Sequence, residues 1–125
     1  LFQLMFENEA DYTNTFVYLM NGSVPQEGLI KDKNFIEWKN KWNSRLSRNQ
    51  DIIKAKELMT KNNPIIIPRN HLIESALSKA EQGNLDEFNK LILALKDPYK
   101  DNGQYTGLKN PAPQSEKKYQ TFCGT

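Results

Sequence analysis

The sequence is poor in the residues that disulfide frameworks, metal sites and phosphate-binding loops require. Cys123 is the only cysteine and His71 the only histidine among 125 residues, so the chain alone can form neither an internal disulfide bond nor the ligand set of a structural zinc site. The six glycines are isolated from one another, which excludes a glycine-rich phosphate loop or a Walker motif. No apolar run approaches the roughly 18–20 residues that cross a bilayer. We therefore expect a soluble chain with no membrane partner, no metal site and no cofactor-binding residue of its own.

A large excess of one charge is also absent. Lys and Arg number 17 and Asp and Glu 15, a formal net charge of +2, so the overall charge indicates no particular partner. Hydrophobic residues make up 38% of the chain, below the roughly 45–50% of an average soluble domain, which predicts a small core or a segment outside it. The length fits one domain. A start at Leu1 rather than Met, with no secretory signal after it, suggests a piece of a longer protein.

Hydrophobic periodicity predicts about five helices followed by a tail. Helices are expected over 12–20, from 33 onward, over 51–61, from 72 to the glycine at 83, and from 85 to the Asp-Pro pair at 97–98. The apolar positions expected to face the core are Tyr12, Phe16, Leu19, Met20, Phe35, Trp38, Trp42, Leu46, Ile52, Ala55, Leu58, Met59, Leu72, Ile73, Ala76, Leu77, Ala80, Leu85, Phe88, Leu91, Ile92 and Leu95.

Turn residues and prolines set the connections between these helices. The prolines and β-branched residues of 64–68 predict an extended, buried connector. Gly83 and Asn84 predict the bend of an αα-hairpin, and Asn84 with Glu87 three residues later forms a capping-box-like pair. The fold class is therefore all-α, a small bundle over residues 1–97, with an extended tail over 98–125 that ends in a cysteine-containing motif.

Three consecutive polar residues at a predicted helix start are the first candidates for a site. Arg69 and Asn70 could hold a phosphate through the guanidinium group and backbone N–H groups, but an interdomain or structural contact fits such residues better. His71 could be paired with Glu74 as a catalytic dyad. Because no serine or cysteine nucleophile is close in sequence, a capping or packing role is the better interpretation of His71.

A basic stretch with two tryptophans raises the possibility of nucleic-acid binding. Residues 31–61 hold nine Lys or Arg against four acids, a local excess of +5 (9 − 4). Trp38 and Trp42 share one helical stripe with Phe35 and Leu46, which favours a core role. We therefore expect the basic residues to form a solvated face and predict no nucleic-acid partner.

Cys123 is a redox candidate because it is the third residue from the end of the sequence, where a thiol is reachable. No Lys, Arg or His lies within three residues to lower its pKa, so an inert cysteine is an equally good interpretation from these residues alone.

Several strings closely resemble the SelO (selenoprotein O) family. They are the run from Asn63 to His71, the Ala80–Leu85 run with its following apolar positions, Pro98-Tyr99, and the ending Tyr119-Gln120-Thr121-Phe122-Cys123-Gly124-Thr125. The Asp11–Phe16 run and the Trp38, Trp42, Arg45-Leu46 pattern look like the same family further upstream, so the resemblance spans nearly the whole chain.

The resemblance implies the last quarter of a pseudokinase-like protein adenylyltransferase, which transfers AMP from ATP to Ser, Thr or Tyr hydroxyls of other proteins. ATP and Mg²⁺ or Mn²⁺ would bind an upstream kinase-like domain, with which this chain would pack. The family's catalytic motifs have no match here, so no catalytic residue is assigned and the chain alone is expected to be inactive. A cytoplasmic, bacterial member is expected.

The resemblance also bears on the C-terminal thiol. Cys123 stands where family members carry selenocysteine or cysteine, which implies a redox role and pairing with an upstream cysteine. The alternative from a different class of function is an independent helical module that binds a partner protein and has a passive tail.

Overall fold

The computed structural model describes residues 1–24, 26–49, 51–101 and 103–113, and within them the fold is all-α, as predicted. The helices are α1 (Phe2–Glu7), α2 (Tyr12–Asn21), α3 (Glu27–Lys31), α4 (Lys33–Asn49), α5 (Ile52–Asn62), α6 (Asn70–Glu81), α7 (Asp86–Leu95) and a 3₁₀ turn (Thr106–Lys109). The five predicted helices are confirmed as α2, α4, α5, α6 and α7. Short α1 and α3 were not predicted, because fewer than two turns leave no periodic signal.

The chain divides into two compact units. Among the described residues, the first comprises those within 1–65 and 98–101, and the second comprises 66–97 and 103–113. Helices α1 to α5 belong to the first unit, and α6, α7 and the 3₁₀ turn belong to the second.

The core of the first unit is built from α1, α2, α3 and α4. Met5, Leu19, Leu29 and Phe35 form its buried centre. Half-buried apolar side chains surround that centre: Leu1, Leu4, Ala10, Phe16, Tyr18, Ile30, Trp38, Trp42 and Met59. Burial of these apolar surfaces is the main force that holds the short helices in place, since isolated helices of this length are marginal in water.

The two tryptophans pack with this core, as the apolar stripe predicted. The rings of Phe35 and Trp38 lie 5.9 Å apart, and those of Trp38 and Trp42 lie 6.0 Å apart at an interplanar angle of 10°. Tyr18 from α2 meets Phe35 at 6.3 Å, which joins α2 to the aromatic row of α4. Aromatic pairs at such distances add to the stabilisation that burial provides.

Helix ends in the first unit follow their sequence signals. Asp11 accepts a hydrogen bond from the Asn14 backbone N–H at 2.8 Å, and Gly22 ends α2 with a φ of +79°. Asp51 caps α5 through the Ile53 N–H at 2.9 Å. Aspartate at an N-cap and glycine in the left-handed region are the residues these positions favour.

The second unit is an αα-hairpin with a following 3₁₀ turn. Helices α6 and α7 pack against each other, with Ala76, Leu91 and Ala94 buried. Gly83 stands at the bend with a φ of +86°, as predicted. The connector before the hairpin is neither helix nor strand and bends at Asn63 and Ile65, and the burial of Ile65 and Ile66 in it agrees with prediction.

Several predicted inward positions are wrong. Tyr12, Ile52, Leu58, Leu77, Leu85, Phe88 and Ile92 are exposed, whereas Val17 and Ala94, which were not expected, are buried. These helices are apolar on more than one side, so periodicity alone does not tell which side meets a neighbour.

Candidate functional site

The predicted contact residues Arg69, Asn70 and His71 lie at the start of α6. Arg69 is extended, with φ −75° and ψ 133°, and its carbonyl oxygen accepts hydrogen bonds from the N–H groups of Leu72 and Ile73, both at 3.0 Å. Asn70 is the first helical residue and is exposed, and His71 is half-buried. The three residues therefore begin the helix, and their side chains differ in how far they are exposed to solvent.

Arg69 is the most buried of the three. Its side chain belongs to a residue only 9% exposed, and Lys109 in the same unit is buried to a similar degree. A buried cation is stable in a fold only when it is paired or hydrogen-bonded. Burial of Arg69 agrees better with a structural role than with an open phosphate site, and its interdomain role stays a prediction.

His71 belongs to no cluster of metal-ligating side chains in the part of the chain that the structure describes. Among the described ranges 1–24, 26–49, 51–101 and 103–113, no three His, Cys, Asp or Glu side chains cluster so that they could bind an ion. Its capping or packing role stays a prediction. Cys123 and the motif around it lie outside the described residues, so the redox role of this thiol also stays a prediction.

A charged cluster links the two helices of the hairpin. Glu87 on α7 accepts a hydrogen bond from Ser75 Oγ at 2.9 Å and forms an ion pair with Lys79, and both partners lie on α6. The hydrogen bonds from Lys79 and Ser75 hold the pKa of Glu87 below its ordinary value of 4.5. The predicted capping box is therefore wrong for Glu87, which reaches across the hairpin instead, while Asn84 Oδ1 accepts from the Asp86 N–H at 2.9 Å.

A second polar cluster, the Asp11–Gln26 network, fixes the start of α2. The Gln26 side chain accepts from the Asp11 N–H and donates to the Asp11 carbonyl at 3.1 Å and to Thr15 Oγ1 at 2.7 Å. Thr15 Oγ1 in turn donates to the Asp11 carbonyl at 2.7 Å. Thr15 and its neighbour Asn14 are fully buried. The network ties the segment before α3 to the first turn of α2.

A groove of about 300 Å³ runs beside α2, α4 and α5. Lys39 lies on one wall, where its ammonium group donates to Tyr18 Oη at 2.8 Å and stands 4.2 Å from the centre of the Tyr18 ring. Trp42, Leu46, Ile52 and Lys56 contribute other parts of the lining. Lys39 was expected on the solvated face, so its contact with Tyr18 is a correction to the helical pattern.

The remaining basic face of α4 is open to solvent, as predicted. A shallow cleft is lined by Glu37, Asn40, Lys41, Ser44, Arg45 and Arg48. Lys41 pairs with Glu37 at 2.6 Å, and this pair lowers the pKa of Glu37. Exposed pairs at this spacing contribute little to stability.

Several carboxylates of the first unit serve as helix caps or as partners of lysines. Asp32 accepts from the Phe35 N–H at 2.8 Å at the start of α4, as Asp11 and Asp51 do for their helices. Glu27 pairs with Lys31 at 2.9 Å, which lowers its pKa. Capping of helices and pairing with lysine therefore explain where these carboxylates lie.

Sequence reasoning missed the contacts that join distant positions. Gln26 and Thr15 are 11 residues apart, Tyr18 and Lys39 are 21 apart, and neither pair follows a helical or strand period. The buried Lys109 also has no signal in the sequence.

No helix among the described residues is long and apolar enough to cross a membrane.

The chain is similar to proteins of one family. The family model described as Protein adenylyltransferase SelO matches residues 1–96. The Protein nucleotidyltransferase YdiU of Pelagibacter ubique is 48% identical over 128 residues, that of Nitrosococcus oceani is 42% identical over 127, and that of Syntrophotalea carbinolica is 39% identical over 127.

These relatives are much longer than the chain. Each alignment covers 100% of this chain and 26% of the relative, so the chain spans about a quarter of the length of the curated relatives it matches. No solved structure gives a significant match.

Proposed function

The chain belongs to the SelO family, and on that premise we propose that it is a non-catalytic helical region of a protein adenylyltransferase. The resemblance first noted in its motifs is thereby confirmed, and its relatives are named protein nucleotidyltransferases. The match of the family model over residues 1–96 is the observation that carries the proposal, since this range includes α1 to α7.

The parent polypeptide would transfer AMP from ATP to hydroxyl groups of proteins. The oxygen of a Ser, Thr or Tyr side chain would bond to the α-phosphorus of ATP, the bond from that phosphorus to the bridging oxygen would break, and pyrophosphate and the hydroxyl proton would leave. ATP and Mg²⁺ or Mn²⁺ would bind a kinase-like domain outside these 125 residues. Such a protein would act in the bacterial cytoplasm.

The roles of the described side chains support a non-catalytic part. Asp11, Asp32 and Asp51 accept hydrogen bonds from helix N-termini, and Glu87 is held by α6. Carboxylates engaged in this way are placed to stabilise helices, whereas a general base must reach the hydroxyl group of a substrate.

Labelled ATP tests the proposal. The parent polypeptide, incubated with ATP labelled at the α-phosphate and Mg²⁺, should label itself or added proteins, whereas the 125-residue chain should neither become labelled nor label others. AMP transfer by the 125-residue chain alone would overturn the non-catalytic role, and no transfer by the parent would favour the independent interaction module.

A redox role of Cys123 is a separate part of the proposal. Oxidation by a small disulfide would join the Cys123 sulfur to that of an upstream cysteine, with the two electrons and two protons passing to the reagent. The bond would restrain the tail against the kinase-like domain. Activity and mobility on non-reducing gels should then differ between oxidised and reduced parent, and Cys123→Ser should abolish both differences. Equal behaviour of all four samples would remove the switch.

A further inference from the structure

An exposed aromatic patch formed by Phe2, Phe6 and Tyr12 lies on α1 and the start of α2. These side chains belong to residues that are 64%, 80% and 62% exposed, respectively. The rings of Phe2 and Tyr12 lie 6.2 Å apart at an angle of 5°, and Tyr12 meets the half-buried Phe16 at 4.9 Å. The patch is therefore an ordered surface in which two elements contribute stacked rings.

The exposure of the patch does not come from a detached helix. On the other side of α1, Met5 is buried in the core and Leu1 and Leu4 pack against it. The Ala10 N–H donates to the Met5 carbonyl at 2.8 Å, which holds the end of α1 close to the start of α2. α1 is thus apolar on its inner and outer sides, and a helix of that kind is normally covered on both.

The acidic residues near the patch indicate which charge a covering surface would carry. Residues 1–30 contain four acids and no Lys, Arg or His. Glu7 and Glu9 are exposed on α1 and just after it, and Gln3 donates to Glu7 Oε1 at 2.9 Å. A partner surface that is apolar at its centre and basic at its edge would be complementary to the aromatic rings and to the neighbouring Glu7 and Glu9.

The length of the relatives indicates that the rest of the same polypeptide would supply the covering surface. The family model includes α1, while the chain corresponds to 26% of each relative, so about three quarters of a family-length polypeptide would lie outside this part and be available to cover it. An exposed cluster of large aromatic side chains is typical of a surface that meets another protein part.

We propose that the aromatic patch is the docking surface for the kinase-like domain of the same polypeptide. This inference rests on the proposed function, because it takes its partner from it. Phe6 stands at the most exposed point and would insert its ring into the covering surface, with Phe2 and Tyr12 packed beside it.

Hydroxyl-radical footprinting of the full-length parent tests the docking directly. After correction for residue type against a peptide of residues 1–12, the rings of Phe2, Phe6 and Tyr12 should react several-fold more slowly in the parent, at both low and high protein concentration. Phe6 reacting as fast in the parent as in the peptide would overturn the proposal. Protection that is lost on dilution would also overturn it, because the occupant would then be a second copy.

Two variants of the parent separate a docking surface from general packing. Phe6→Ser should raise the reactivity of Phe2 and Tyr12 several-fold, whereas Leu58→Ser, at a similarly exposed apolar position on α5, should leave it unchanged. Equal reactivity of Phe2 and Tyr12 in the two variants would contradict the role given to Phe6.

AMP transfer by the unmodified parent is measured in parallel. Its absence would count against the proposed function, while ring protection answers the docking question independently.

Discussion

At the scale of single residues, buried polar side chains add a local network of hydrogen bonds to the apolar core of the first unit. Thr15 is fully buried and its hydroxyl group both donates to the Asp11 carbonyl and accepts from Gln26. A buried polar group that loses its partner costs more than a satisfied hydrogen bond contributes. The Asp11–Gln26 network is therefore expected to be sensitive to changes that leave an amide or carbonyl without a partner.

Thr15→Val tests this network with a nearly isosteric change. It should lower the free energy of unfolding of the chain by about 1–3 kcal/mol, because the Gln26 amide loses an acceptor in a partly buried position. Urea unfolding measures the effect. Thr60→Val is the matched control, since the Thr60 hydroxyl group donates to the Lys56 carbonyl at 2.9 Å on an exposed surface, and its effect should stay within about 0.5 kcal/mol. Equal losses in the two variants would contradict a special role for the network.

At the scale of elements, the helix ends of the first unit are where sequence and structure agree best. Asp11, Asp51 and Gly22 are local signals, and each acts on a backbone group within four residues. The side of a helix that is covered depends instead on distant partners, which explains why Leu58 was wrongly placed inside. The patch residues Phe2 and Phe6 could not be assigned from the sequence either, because α1 is shorter than the window in which a period can be read.

Two glycine substitutions should change stability in opposite directions. Gly22 has a φ of +79° and nothing within 4 Å of an added Cβ, so Gly22→Ala should cost about 1 kcal/mol through backbone strain alone. Gly28 lies inside α3, where an added Cβ would meet Asn8 atoms only at 3.9 Å. Gly28→Ala should therefore stabilise the chain by about 0.5–1 kcal/mol. Thermal unfolding of both variants provides the comparison, and a stabilising Gly22→Ala would contradict the assigned turn.

The charged cluster of the α6–α7 hairpin should make its stability depend on pH. Because the pKa of Glu87 is lower in the folded chain than its ordinary value of 4.5, its contribution is present above that value and is lost as the pH falls through the folded pKa. Glu87→Gln should thus be less stable than the unmodified chain at pH 7, and the difference should fade at acid pH. Urea titrations at several pH values measure this. Glu81→Gln, at the exposed end of α6, is the control, and a Glu87→Gln deficit that persists at acid pH would contradict the assignment.

At the scale of the whole molecule, the family assignment and the exposed aromatic patch together support the proposal that the chain is one part of a larger protein. The strings around 63–71 and 80–85 identified the family from the sequence, because they are specific and occur in order. The proposed docking surface required the structure, since its residues come from two helices and the stacking of Phe2 on Tyr12 forms only in the folded chain. In the first unit, negative charge lies near this patch and positive charge lies on α4.

We expect every nucleotide-binding group to lie outside these 125 residues, in the kinase-like part of the proposed parent. Photo-crosslinking of the full-length parent with an azido analogue of ATP, followed by mass spectrometry of the labelled peptides, tests it most directly. Labelled peptides should come only from the kinase-like part, and excess ATP should suppress their labelling. ATP-competed labelling of peptides from this chain, above all those that contain Arg69 to His71, would contradict it.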